Sequence, residues 1–331
     1  MVGLNLGRYA LSSCIAVAIL AGCGGSQPPI GAPGATLQTP AITTRAAHGG
    51  SWRLPGAKSR DLLYVVTGGG AVDILSYPGS KLLGTLRSAK DSYAPVTANP
   101  TNGDILIAGR GAVIDEYAHG GQEPIAEIYP PPSIQGIVDY AFDLTTESIA
   151  VSLQKSFDKG FVGIYASPSS NPTLYSVPNM EYLGFLGYDN QGNLFIEGKE
   201  SANGPDVFAE LPKGGSAFND VTLNQTLTNM GTVQWDGSYI TLASGNTINE
   251  IQISGSNGTI VGETTLDGEW VRYPVFWIQG DAVLGDHVTR TNRYNGQGIW
   301  HYPQGGRSYK VIKYSSQHDR VLSEAVSVGS Q

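Results

Sequence analysis

The chain predicts an all-β fold, a six-bladed β-propeller of four-stranded antiparallel blades. Three observations carry that expectation. Gly makes up 44 of 331 residues and charged residues only 15%, where about 25% is ordinary, so the composition favours many short strands and turns. A turn signal returns every 43 to 47 residues, the length of one four-stranded blade. The two ends of the repeat region are also complementary. The N-terminal copy lacks its first strand and the C-terminal end supplies a spare one.

The clearest copy is residues 184–215. Phe185-Leu186-Gly187-Tyr188 is a short apolar strand. Asp189-Asn190-Gln191-Gly192-Asn193 follows as a turn, since Asp and Asn bond their own backbone and Gly accepts positive φ. Leu194-Phe195-Ile196 returns, too short and too β-rich for a helix. Residues 207–211 make a third strand, ended by Pro212 and Gly214-Gly215 because proline has no N–H for a ladder. Residues 221–223 fit a fourth, outer strand.

The turn recurs at Asn99, Leu144, Asp189, Asp236 and Gln279. The corner after the third strand recurs independently, at Tyr77-Pro78-Gly79, Tyr117, Tyr165, Leu211, Ile253 and Tyr302-Pro303. Six corners stand against five first strands. Residues 321–328 supply the sixth, and pairing this C-terminal strand with the N-terminal blade, which begins at Leu62, closes the ring without a free sheet edge.

Ahead of the repeats, residues 1–22 read as a signal peptide: one charge, Arg8, then an apolar core over 10–20, too short to span a bilayer as a mature helix. Leu20-Ala21-Gly22-Cys23 resembles the lipobox of bacterial lipoproteins. That resemblance implies cleavage before Cys23 and diacylation of its thiol, which makes the membrane a partner through an N-terminal lipid anchor. Gly24 is not the Asp that signals inner-membrane retention in such proteins, so an outer membrane is the expected address in a cell with two. Residues 23–59, rich in Pro, Gly, Ala and Thr, read as a disordered tether, spanning on the order of 35 Å as a flexible coil. The propeller is assigned to 60–331, as a monomer.

Several function classes are excluded by composition and motif. Both cysteines, Cys14 and Cys23, precede the repeats, and the lipobox resemblance implies that the first leaves with the signal and the second carries lipid, so the head has no disulfide, cysteine nucleophile or thiolate metal site. The net charge of −8, without a Lys/Arg stripe, argues against nucleic acid as a partner. No H-E-x-x-H, G-x-S-x-G or phosphate-binding loop occurs. Trp235-Asp236 is a single Trp-Asp pair, at the wrong turn for a WD repeat.

Candidate site residues follow from propeller geometry, in which ligands meet the central channel. Residues just before each first strand crowd one mouth: Tyr93, Tyr140, Tyr182, Arg272, Tyr273 and Arg320. Tyrosine offers flat apolar area with a hydroxyl at its tip, suited to a small molecule, a glycan or an envelope protein. The alternative is that these tyrosines fill wedge gaps between blades, with backbone groups satisfying their hydroxyls. Asp91, Asp139, Glu181 and Asp319 lie near the same end and form the candidate metal set for Ca²⁺ or Mg²⁺. The alternative there is solvated loop acids.

The phrase Tyr188-Asp189-Asn190-Gln191-Gly192-Asn193-Leu194-Phe195-Ile196 resembles the core of NHL-repeat propellers, V-D-x-x-G-N-L-Y-V. A nearer resemblance is to uncharacterised bacterial lipoproteins with Y-P-x-G-G corners and E-L-P-K-G and V-Q-W-D-G stretches, here at residues 302–306, 210–214 and 233–237. Both resemblances imply blade architecture. Some six-bladed relatives are metal-dependent lactonases or lyases, but their metal triad has no residue-by-residue counterpart here. The sequence therefore favours a non-catalytic binding or interaction module of the cell envelope. The alternatives are a lactonase- or lyase-like enzyme using the mouth carboxylates, and a scaffold working through its side.

Overall fold

Six four-stranded antiparallel sheets follow one another along the chain, each contributing one inner strand to a central channel. The computed structural model describes residues 53–54, 57, 60–67, 70–87, 95–108, 112–155, 158–267, 275–288, 294–312 and 321–329. All of them belong to one unit, Ile42–Gln331.

Blade 1 takes its inner strand, Val321–Ser327, from the C-terminus, then Leu62–Thr67, Ala71–Ser76 and Leu82–Arg87. Blade 2 runs Val96–Ala98, Ile105–Ala108, Ile114–Tyr117 and Pro124–Ile128. Blade 3 runs Gly136–Phe142, Ile149–Lys155, Asp158–Tyr165 and Thr173–Tyr175. Blade 4 is Tyr182–Tyr188, Leu194–Lys199, Asp206–Leu211 and Asn219–Asp220. Blade 5 is Met230–Trp235, Ile240–Ser244, Thr247–Ser254 and Asn257–Asp267. Blade 6 is Phe276–Gln279, Ala282–Val288, Tyr294–His301 and Lys310–Ile312.

The ring closes as the sequence predicts. Val321–Ser327 pairs antiparallel with Leu62–Thr67, from Leu62 opposite Ser327 to Val66 opposite Ser323, with one register shift at Val66/Thr67. Beyond the strand, Gly329 N–H donates to Asp61 Oδ1 at 3.1 Å. His119, buried in blade 2, ties both ends down: its Nδ1 meets Ser327 Oγ while Nε2 lies 3.0 Å from the Ala57 carbonyl.

The core is divided rather than central. Six clusters of buried apolar side chains lie one at each seam between neighbouring blades. Between blades 4 and 5, Phe195 and Phe208 stack at 5.8 Å against Val233, Ile240 and Leu242. Between blades 5 and 6, the fully buried Trp300 anchors the cluster. Each blade is hydrophobic on both faces, so none can bury its surface without two neighbours.

Three details differ from the sequence reading. The turn residue of blade 3 is Asp143, not Leu144. Asp143 N–H closes the turn on the Ser148 carbonyl and its Oδ1 accepts Thr145 N–H at 2.8 Å. Asn99, Asp189 and Asp236 form the same side-chain-to-backbone turn, so Asp/Asn chemistry, rather than spacing alone, marks the position. Second, the outer strand of blade 4 is Asn219–Asp220. Val221 turns into the seam, and Thr222 and Leu223 then pair in parallel with Asn257 and Gly258 of blade 5. Third, Arg53, Leu54 and Ala57, read as tether, pack on the head. Arg53 bridges to Gly121, and Leu54 fills the space where Gly84 lacks a side chain; a Cβ there would come within 2.8 Å of Leu54 Cδ2. Isolated apolar residues in a Pro/Gly-rich stretch carry no periodic signal that would set them apart from a tether.

Candidate functional site

The six inner strands enclose a channel of about 290 Å³. How they are held together decides what the channel offers. At three alternating seams, a side chain on one inner strand accepts a backbone N–H of the next. Ser323 Oγ takes Val96 N–H at 2.8 Å, Asp139 Oδ2 takes Leu186 N–H at 2.9 Å, and Thr232 Oγ1 takes Phe276 N–H at 3.1 Å. Between blades 5 and 6, the Gln234 amide adds two bonds, accepting Ile278 N–H at 2.9 Å and donating to the Ile278 carbonyl at 2.8 Å. Inner strands of neighbouring blades do not pair as a sheet, so their inward N–H groups need such partners.

Bulges make this possible. The inner strands of blades 3, 4 and 5 shift register at Ile137/Asp139, Leu183/Leu186 and Met230/Val233. A bulge frees backbone groups from the ladder and re-aims side chains. In blade 4 it frees the N–H groups of Phe185 and Leu186, and two buried carboxyls receive them: Glu197 Oε1 accepts Phe185 N–H at 2.9 Å, beside Asp139 on Leu186. Gly184 leaves the room, since a Cβ there would lie 1.9 Å from Glu197 Oε1. Burial pushes the Asp139 carboxyl up to about 7, against the pull of the Leu186 N–H. Burial pushes Glu197 up to about 8, with Asp206 and Asp139 adding to it and the Phe185 N–H opposing.

Of the residues singled out from the sequence, Tyr140, Tyr182, Asp139 and Glu181 are described. Cys23, Tyr93, Arg272, Tyr273, Arg320, Asp91 and Asp319 lie outside the described residues. Tyr140 is not a mouth residue. It is 1% exposed, packs in the seam between blades 2 and 3, and its hydroxyl donates to the Pro95 carbonyl. Asp139 is likewise buried and engaged with Leu186, so it is not poised as a metal ligand. Tyr182 is half-buried at the start of the blade 4 inner strand, and Glu181 beside it is exposed. Among the described residues, no three His, Cys, Asp or Glu side chains gather as a metal site.

The described channel lining runs instead toward the opposite end, where the turns after the inner strands stand: Pro100, Leu144, Gly237 and Gly280. Phe185, Trp235 and Trp277 line it, all half-buried, with Leu144 41% exposed beside them. Aromatic residues within or directly after first strands were the available signal. Trp235 also borders a second groove between blades 4 and 5, of about 700 Å³, which carries Glu210, Asp220 and Tyr239. Burial raises Glu210 above the usual carboxylate range, and Asp189 adds to it. The site offers apolar and aromatic contact area, while the polar groups on Asp139, Thr232, Gln234 and Ser323 are engaged between blades.

These features define a β-propeller. No protein-family model matches the chain, and no curated protein matches it. Among solved structures, the chain is similar to the Myceliophteria thermophila Cps50 (Swd1) β-propeller domain, at 11% identity over 80% of this chain and 85% of that one, with a TM-score of 0.50. A chain of a mitotic checkpoint complex matches at 14% identity over 76% and 70%, with a TM-score of 0.49. At such identities the first likeness speaks to fold alone.

Proposed function

We propose that the chain is a lipid-anchored extracytoplasmic propeller that serves a bacterial cell envelope as a non-catalytic binding module, kin to NHL-like lipoprotein propellers. The fold is consistent with an interaction module. One observation carries the reading: Ser323, Asp139, Thr232 and Gln234 of the channel wall are already committed to neighbouring blades, and Phe185, Trp235, Trp277 and Leu144 remain to meet a ligand. Apolar and aromatic lining with few free polar groups suits binding better than acid–base chemistry. The lipobox-like Leu20-Ala21-Gly22-Cys23 supports the anchor and the outer-membrane address. The ligand class is a small molecule, a glycan or an envelope protein, and the acidic chain disfavours nucleic acid.

The test has two arms. Cys23→Ser should move the protein from the membrane fraction to the soluble one; membrane association that survives the change removes the anchor. Photo-crosslinking in the envelope from a probe at position 144 should yield one dominant adduct that Trp235→Ala suppresses. Adducts indifferent to Trp235 defeat the channel as the binding surface.

A further inference from the structure

The groove between blades 4 and 5, of about 700 Å³, shares one lining residue with the channel, Trp235. Its volume lies within the range of ligand pockets, about 300–1,000 Å³. The buried part of its lining is mostly apolar: Phe195, Val221, Ile240 and Ile251 belong to one cluster. The more open part is polar and comes from both blades. Gln191, Glu210 and Asn219 stand on the blade 4 side, Tyr239 and Gln252 on the blade 5 side.

The groove differs from the channel in what these polar groups are doing. Asp139, Thr232, Gln234 and Ser323 of the channel wall are bonded across the seams. Among the described residues, the side chains of Gln191, Glu210, Asn219, Tyr239 and Gln252 make no hydrogen bond to another residue. The carboxylate accepts, while the three amides and the phenol both give and take.

Two classes of occupant fit poorly. Among the described residues lining the groove there is no Lys or Arg, so an anionic ligand meets no counter-charge. An extended peptide that joins by strand addition needs an open ladder. Here Glu210 pairs with Phe195 on one side and Asn219 on the other, and Ile251 pairs with Ile240 and Ile260. At these positions the ladders are complete, and recognition falls to side chains.

We propose that this groove binds a neutral oligosaccharide. A sugar ring presents a C–H face and a rim of hydroxyls that both donate and accept. Trp235 and Tyr239, both half-buried, supply flat apolar area for the first. The free amides and carboxyl supply partners for the second, and two neighbouring hydroxyls can donate together to the Glu210 carboxylate. The site is distinct from the channel and stands whether or not the channel takes a ligand.

The experiment is calorimetric titration of the full chain with chitotetraose, cellotetraose, maltotetraose and mannotetraose, and with trilysine in parallel. At least one tetrasaccharide should bind with a Kd of about 1 mM or below. Glu210→Gln and Tyr239→Ala should each weaken it by about tenfold or more, the order expected when a hydrogen bond to a ligand is lost. Trp277→Ala, in the channel, should leave it unchanged. Gln252→Ala, at an exposed position, serves if Tyr239→Ala does not fold. A wild-type chain that binds none of the four sugars overturns the proposal. Saccharide binding that is lost in Trp277→Ala and kept in the groove variants also overturns it, and assigns the sugar to the channel. So does trilysine binding through Glu210 with no response to any sugar, which makes the groove a dock for a basic chain.

Discussion

The Asp139 carboxylate accepts the Leu186 N–H at 2.9 Å, joining the inner strand of blade 3 to that of blade 4. Its chain neighbour Tyr140 reaches the other way, to the Pro95 carbonyl of blade 2. Two adjacent residues on one strand thus brace both flanking blades, as the two-residue period of a strand dictates. Propeller blades touch by face packing rather than by shared ladders, so such side-chain braces supply direction where apolar packing supplies most of the energy.

Because the braces at Asp139 and Glu197 are buried acids, the protein should lose stability as pH rises. The folded values, about 7 and about 8, lie above the ordinary 3.8 and 4.5. The stability these groups contribute is therefore fully present below about pH 4 and is lost as pH passes through 7 to 8. A tenfold change in proton affinity corresponds to about 1.4 kcal/mol, so the two acids together set a ceiling of several kcal/mol. Urea denaturation at pH 5 and pH 8.5 should show the lower stability at pH 8.5. Asp139→Asn and Glu197→Gln should each flatten the difference in part. A wild-type profile that rises with pH contradicts the assignment.

Most of the fold was legible because it repeats. Asp, Asn and Gly recur at one turn per blade, and a repeated weak signal identifies an architecture that no single copy would. The incomplete first blade also announced its own closing strand. The candidate site was less legible, since sequence does not mark bulges. Register shifts at Ile137/Asp139 and Leu183/Leu186 re-aim the side chains that follow, and one residue of slip moves a side chain to the opposite face. Tyr140 and Asp139, expected at the mouth, are therefore seam residues. Trp235, which follows the register shift at Met230/Val233, belongs to the channel for the same geometric reason.

Tyr140→Phe should report this directly. It removes only the hydroxyl that meets Pro95 and leaves that buried carbonyl without its partner, a loss of about 1–3 kcal/mol at a site 1% exposed. Tyr182→Phe, at a half-buried position, should change stability by less than about 0.5 kcal/mol. Equal effects in chemical denaturation would mean that Tyr140 is not a seam brace.

Gly187 marks a close approach between the inner strands of blades 4 and 5. A Cβ there would lie 2.4 Å from the Val233 carbonyl oxygen, a backbone atom that cannot rotate away. Gly187→Ala should therefore cost about 1–3 kcal/mol through forced separation of the strands. Gly136→Ala is the control, since its Cβ would meet nothing nearer than Gln154 Cβ at 4.0 Å. Comparable melting temperatures for the two variants would show that the seam accommodates the extra methyl.

Ring closure gives the largest expected effect. Removing residues 321–331 takes the inner strand from blade 1 and leaves Leu62–Thr67 as an unpaired edge. It also removes Val321, Ala325 and Val326 from two apolar clusters, at the seams on either side of blade 1. With both seams weakened, neighbouring blades lose the packing that only a complete ring provides. The truncated chain should lose its cooperative melt or show it tens of degrees lower. Removing residues 24–50 touches no described contact and should leave the melt in place. Arg53, Leu54 and Ala57 must stay in that second variant, because Leu54 and Ala57 belong to the cluster between blades 1 and 2. Similar melting temperatures for the two truncations would mean that the ring does not depend on its C-terminal strand.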